Sequence, residues 1–179
     1  MPGKPEPYEG HEIIDPSIRD ETVKALLEAY ADEWIAGYYY MLTSTLIQGP
    51  QSEAIVKHFQ EEAHEEITKH ATAIADRLQQ LGAEPPKSFQ ELWALSPCKY
   101  PELPDDPFDI EGFIIAAVKA EICAIKQYKR LYQLTHGKDP VTEELAEELL
   151  VDETRHRTEL VGLLSREGLE RLGRELGKG

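Results

Sequence analysis

Four glutamates recur at one place in a seven-residue apolar rhythm. Glu33 stands seven residues after Leu26 and seven before Tyr40, and Glu121 is seven from both Ile114 and Tyr128. Glu153 is seven from both Ala146 and Leu160, and Glu66 is seven from Phe59. In an α-helix, positions seven apart differ by only about 20° around the axis. Each glutamate therefore shares a face with core residues. His70 and His156 follow Glu66 and Glu153 about one turn on, on the same sides. A buried, unpaired carboxylate is strongly unfavourable, and four facing one another also repel. Two divalent cations would cancel the four carboxylate charges and leave one neutral imidazole to each metal. Carboxylate-rich ligation with one histidine per metal suits iron or manganese better than zinc.

A single buried glutamate is more often paired with Arg or Lys, and Arg77 and Lys126 are available as partners. Recurrence on four segments, near the middle of each, favours cations instead. Around Glu66 a choice arises. The literal Glu-x-x-His string is Glu61 to His64. Glu61, however, lies about 180° from His70 around a helix axis, and His64 about 120° away. Glu66 and His70 are spaced i,i+4, which keeps both on one face.

These residues sit in a chain of 179 residues with 34 acidic and 19 basic side chains, a formal charge of −15. That acidity argues against nucleic-acid coating and against adsorption to an anionic membrane. The apolar fraction of 41% supports a packed core. No apolar run approaches the roughly 20 residues of a membrane-spanning helix. The polar start, Met1 to Gly10, has no export signal. A cytoplasmic location is expected.

Punctuation divides the chain into four long helices. Asp15-Pro16, Asp106-Pro107 and Asp139-Pro140 each read as an N-cap followed by proline, and Gly49-Pro50 does a similar job. Gly49, Gly82, Gly137 and Gly168 read as stops. The spacing predicts helix A over about 16–47, B over 50–81, C over 107–136 and D over 140–167. Links of two or three residues make A–B and C–D antiparallel hairpins. The B–C link is long and proline-rich. Within it, Ser88 and Glu91 have capping-box spacing ahead of Leu92, Trp93 and Leu95, a short helix. The expected fold is an all-α four-helix bundle over 16–167, with an N-terminal extension (1–15) and a short amphipathic tail (168–179).

The site residues resemble those of the ferritin-like di-iron carboxylate proteins, in which two helices give one Glu each and two give Glu-x-x-His. Glu153-Thr154-Arg155-His156 matches that motif, and Glu33 through Tyr40 looks like the first-helix segment of bacterioferritins. Between Glu66 and His70 this chain has one extra residue. The short helix in the crossover looks like that of Dps, the DNA-protection ferritins. A bacterioferritin-type site inside a Dps-like outline resembles the thioferritin-type proteins of archaea and bacteria. The resemblance implies a ferritin-like four-helix bundle with a long B–C crossover carrying a short helix. It also implies two iron ions per subunit (manganese being the alternative), held by Glu33, Glu66, His70, Glu121, Glu153 and His156. Thioferritins carry a cysteine pair beside the metals, and Cys98 and Cys123 match it: a redox-active or structural disulfide, or two thiols. Each cysteine is otherwise a small buried hydrophobe.

The resemblance further implies a ferroxidase that oxidises ferrous iron with hydrogen peroxide or dioxygen, protects against oxidative stress and stores iron in a homo-oligomeric, dodecameric shell. The alternatives are a dimanganese catalase or rubrerythrin-like peroxidase on the same bundle, and a metal-free structural or partner-binding bundle. Rubrerythrins usually add paired Cys-x-x-Cys motifs, which this sequence lacks. DNA binding is not expected, because Lys4 and Arg19 face Glu6, Glu9, Glu12 and Asp15 in the N-terminal stretch. Tyr38, Tyr39, Tyr40 and Tyr128 are either core packing or electron relays. His11, His58, His64 and His136 read as surface groups. The acidic runs at 61–62, 65–66, 143–144 and 147–148 read mainly as solvated faces.

Overall fold

The computed structural model describes residues 13–177. Most of the expected N-terminal extension, His11 and, of the residues behind the DNA-binding expectation, Lys4, Glu6, Glu9 and Glu12 lie outside them. The described chain is helical, with no strand. Its elements are α1 (Arg19–Leu46), α2 (Ser52–Glu65), a π-helical turn (Glu66–Ala71) and α3 (Thr72–Gln80), then α4 (Phe89–Leu95), α5 (Ile110–Thr135), α6 (Pro140–Gly162) and α7 (Arg166–Leu176). Predicted helix B is thus α2, the π turn and α3 in sequence. The long bundle helices are α1, this interrupted helix, α5 and α6. Short links turning at Gly49 and Gly137, both at positive φ, join them into two hairpins. The hairpins are connected by the crossover that carries α4 against α1.

Three expected boundaries move, two of them because another side chain caps a helix end. Helix α1 starts at Arg19, and Asp15 instead accepts a bond from Ser17 N at 2.8 Å in the preceding turn. Helix α5 is capped by Asp109, which accepts from Gly112 N at 2.9 Å, while Asp106 closes the turn before it. The fourth helix ends at Gly162 rather than near 167. Ser165 then caps α7 by accepting from Gly168 N, so Gly168 lies inside a helix instead of ending one. Asp139 caps α6 as expected, accepting from Thr142 N at 3.2 Å. Asp139 is also the partner of Arg77, whose Nη2 lies 2.8 and 2.9 Å from its two oxygens.

Burial of the inward stripes produces two apolar clusters. One gathers Tyr40, Phe59, Phe113, Ile114 and Leu160. The other gathers Leu26, Ile74, Leu78, Tyr128 and Leu149. Glu33, Glu66, Glu121 and Glu153 lie between them in sequence on their respective helices, as the seven-residue rhythm requires. The two clusters clamp a polar layer across the bundle.

Candidate metal centre

All six expected residues meet in that layer. Glu33 comes from α1, Glu66 and His70 from the π turn, Glu121 from α5, and Glu153 and His156 from α6. None is more than 2% exposed. Ligand atoms of Glu33, Glu66, His70 and Glu153 lie within 4.8 Å of one another, as do those of Glu66, Glu121, Glu153 and His156. The two quartets share Glu66 and Glu153. His70 Nδ1 is 2.9 Å from Glu66 Oε2, 3.3 Å from Glu33 Oε2 and 3.2 Å from Glu153 Oε1. His156 Nδ1 is 3.4 Å from Glu153 Oε2 and 3.6 Å from Glu66 Oε1. The two imidazoles lie 5.7 Å apart, tilted by only 19°.

The π turn explains how Glu66 and His70 serve despite the extra residue. One residue inserted into an α-helix would rotate everything beyond it by about 100°. A single wider turn with i→i+5 bonding absorbs the insertion. Ile74, Leu78 and Leu81 therefore still face the core. The turn is seated against α1 at Gly37, where a Cβ would fall 2.7 Å from Ile67 Cγ1.

Neither Arg77 nor Lys126 neutralises the carboxylates. Arg77 is committed to Asp139, Thr142 and Gln80. Lys126 is exposed. Among the described residues, the ion pairs made by Glu33, Glu66 and Glu153 are with histidines. Protons carry the balance instead. Burial, reinforced by Glu66, pushes Glu33 well above the ordinary carboxylate range, and burial with Glu153 does the same to Glu121. Burial opposes ionisation of Glu66 and Glu153 too. The close approach of Glu33 and the histidines to Glu66, and of Glu121 and the histidines to Glu153, outweighs it and lowers both. Burial likewise disfavours charge on the histidines. The neighbouring carboxylates override it, lifting His156 to about 10 and His70 higher still.

The donor set fits divalent cations. Glu121 Oε2, Glu153 Oε1 and His156 Nδ1 are buried without a hydrogen-bond partner and point inward. Surrounding groups hold the donors in place. Tyr40 donates to Glu121 Oε1 and Tyr128 to Glu33 Oε1, one tyrosine from each apolar cluster. His70 Nε2 faces Asp152 Oδ2 at 3.4 Å. His156 Nε2 faces Glu65 Oε2 at 3.5 Å, with Arg155 Nη2 3.0 Å from the same nitrogen.

Cys98 and Cys123 form a disulfide that ties the crossover to α5. Beside it lies a cavity of about 20 Å³, lined by Asp32, Cys98, Tyr100, Glu33, Glu121 and Glu153, which is room for about one water. The disulfide and the carboxylate centre thus share a wall. Asp32 accepts from Ser96 Oγ and from Cys98 N. Burial outweighs those bonds and lifts its carboxyl to about 6.

Some residues behave differently from expectation. Glu62, expected on a solvated face, is 4% exposed and sits 3.0 Å from His156 Nδ1. Its signal was available: it precedes Glu66 by one turn on the same side. Asp32 carried no signal, since only the crossover folding back over α1 buries it. His58 is mostly buried rather than superficial, with its side chain 18% exposed. His64 and His136 are exposed as read, His136 pairing with Glu143 at 2.8 Å. Tyr39 stacks on Tyr100 at 4.6 Å, and Tyr38 is exposed.

No described helix is long and apolar enough to cross a membrane. The ferritin-like domain family matches residues 23–168. A DNA protection during starvation protein from Pyrococcus furiosus is 33% identical over 146 residues, covering 82% of this chain and 78% of that protein. Among solved structures, the dodecameric thioferritin of Bacteroides fragilis, a bacterioferritin-related protein, superposes with a TM-score of 0.77 at 27% identity over 94% of each chain. An archaeal Dps homologue from Halobacterium salinarum shares the fold, with a TM-score of 0.74 at 18% identity over 86% of this chain and 87% of that one.

Proposed function

The chain belongs to the ferritin-like domain family and is a Dps homologue, and from that premise we propose that it is a di-iron ferroxidase. Ferrous iron is its substrate, and hydrogen peroxide or dioxygen its oxidant. Glu33, Glu66, His70, Glu121, Glu153 and His156 would hold two iron ions. The observation that carries this reading is the pair of buried quartets sharing Glu66 and Glu153. Two irons bound there supply the two electrons that reduce one peroxide to water.

The chain's own residues do the rest. Glu66 and Glu153 face both positions, and Glu33 and Glu121 each close one. Tyr128 and Tyr40 orient those two outer carboxylates through their hydroxyls. Asp152 facing His70 Nε2 favours the tautomer that leaves Nδ1 free to ligate. The two apolar clusters keep bulk water from the layer, so reactive oxygen chemistry is confined.

We read the biological role as protection from oxidative stress by removing ferrous iron and peroxide together, in the cytoplasm. Storage of ferric iron in a dodecameric shell is part of the same reading, supported by the thioferritin likeness. With a charge of −15, protection does not proceed by coating DNA. Anaerobic ferrous titration followed by oxidant, with optical detection, tests the proposal. Two irons per chain and rapid oxidation are expected, and a Glu121→Ala/Glu153→Ala double variant should lose both. Retained stoichiometry in that variant overturns the residue assignment, and manganese after native purification overturns the metal.

A further inference from the structure

Among the buried polar atoms outside the six that lack hydrogen-bond partners, two lie one turn apart on α2. Glu62 on α2 is buried, and its Oε2 accepts none. His58, one turn earlier, buries its Nε2, which also has no hydrogen-bond partner. Glu159 on α6 completes the group: a ligand atom from each of the three lies within 4.8 Å of the others. His58 Nε2 and Glu62 Oε1 are 3.8 Å apart, too far for a hydrogen bond. Two donors at about 2.1 Å from one cation can stand up to about 4.2 Å apart, so this spacing suits a shared ion. We propose that His58, Glu62 and Glu159 form a satellite site for a divalent transition cation, distinct from the six-residue centre and joined to it through Glu62.

The joining carboxylate has two faces. Glu62 Oε2 lies 3.0 Å from His156 Nδ1, while Oε1 looks toward His58. The unpaired His58 Nε2 and its spacing from Glu62 Oε1 do not depend on the proposed ferroxidase centre.

Glu159 supplies the opening. Its side chain is 45% exposed and its ion pair with Arg155, at 3.6 Å, is between two partly exposed groups. Such pairs contribute about 0–1 kcal/mol, so an arriving cation displaces Arg155 easily. The comparable group of Glu65, His70 and Asp152 differs in this respect. Lys69 already lies 2.5 Å from Asp152 and 3.1 Å from Glu65, and Arg155 3.0 Å from Glu65. Mixed imidazole and carboxylate donors suit ferrous iron, cobalt or zinc.

Cobalt(II) is the probe, because it does not require an oxidant to be seen. The full chain is titrated anaerobically, with bound cobalt counted by equilibrium dialysis and followed by visible absorption. A His58→Gln/Glu159→Gln variant should bind one cobalt fewer per chain than the parent, with the absorption of the other ions unchanged and thermal unfolding unshifted. A Glu121→Ala variant should lose cobalt at the centre and keep the ion that depends on His58. Equal cobalt stoichiometry in the parent and the His58→Gln/Glu159→Gln variant overturns the satellite site. If instead a His58-dependent ion binds while Glu121→Ala changes nothing, the satellite site stands and the proposed centre fails.

Discussion

Glu66 and Glu153 face each other from the π turn and α6, and each aims one oxygen at His70 and the other at His156. The distances are 2.9 and 3.6 Å for Glu66 and 3.2 and 3.4 Å for Glu153. The arrangement is close to two-fold symmetric, with Glu33 beside His70 and Glu121 in the quartet of His156. Bridging and terminal roles should therefore separate on substitution.

Glu153→Ala should weaken both metal positions, and Glu33→Ala chiefly the one beside His70. Loss of a supporting group beside a ligand alone costs about 10–100-fold in affinity, so loss of a bridging ligand should exceed about 100-fold. Calorimetric titration with a redox-inert divalent ion reads the difference. Equal losses at one position in both variants would contradict the bridging assignment.

Metal binding should release protons, because Glu33, Glu121, His70 and His156 all hold theirs more tightly in the metal-free fold and ligation removes them. Titrations in buffers of different ionisation enthalpy count them. Without metal, these raised groups bind more protons folded than unfolded, so stability falls as pH rises. For His156 the contribution is full below about 6.5 and is lost as pH passes about 10. Glu33 and Glu121 act with the same sign, beginning above their unfolded value of 4.5. Glu66 and Glu153 act oppositely, their contribution being lost as pH falls below that value. The Tm of metal-free protein should decline between pH 6.5 and 9, and metal-loaded protein should show a flatter profile.

Tyr40→Phe removes the hydroxyl donated to Glu121, and Tyr128→Phe the one donated to Glu33. Each should leave cobalt stoichiometry intact while weakening affinity about tenfold. Full loss of binding would assign the tyrosines a ligand role. Unchanged affinity would reduce them to packing.

The disulfide closes a sequence separation of 25 residues, for which chain entropy gives roughly 3 kcal/mol. Reductant, or a Cys98→Ser/Cys123→Ser variant, should lower Tm by several degrees. Because Cys98 lines the cavity beside the centre, the crossover should also exchange amide hydrogens faster there. Identical melting with and without reductant would show that the bond carries no stability.

How much of this was legible beforehand follows from the physics of each feature. The seven-residue rhythm placing Glu33, Glu121 and Glu153 among Leu26, Tyr40, Ile114, Tyr128 and Leu160 is a property of one helix at a time, so the sequence alone determined which side chains face inward. Capping at Asp139 and Ser88 is equally local. The bundle follows, because four amphipathic faces have only one another to bury against. The π turn at Glu66–Ala71 is different: the inserted residue is visible, but its absorption depends on Gly37 and Ile67 meeting across two helices. The start of α5 at Asp109 rather than Asp106 also depends on a remote partner, since Arg171 of α7 bonds Asp109 at 2.8 and 2.9 Å. Burial of Asp32, the two faces of Glu62 and the shared position of Glu66 and Glu153 between both histidines are distances between helices. No spacing along the chain encodes such a distance, and only the packed tertiary structure decides it.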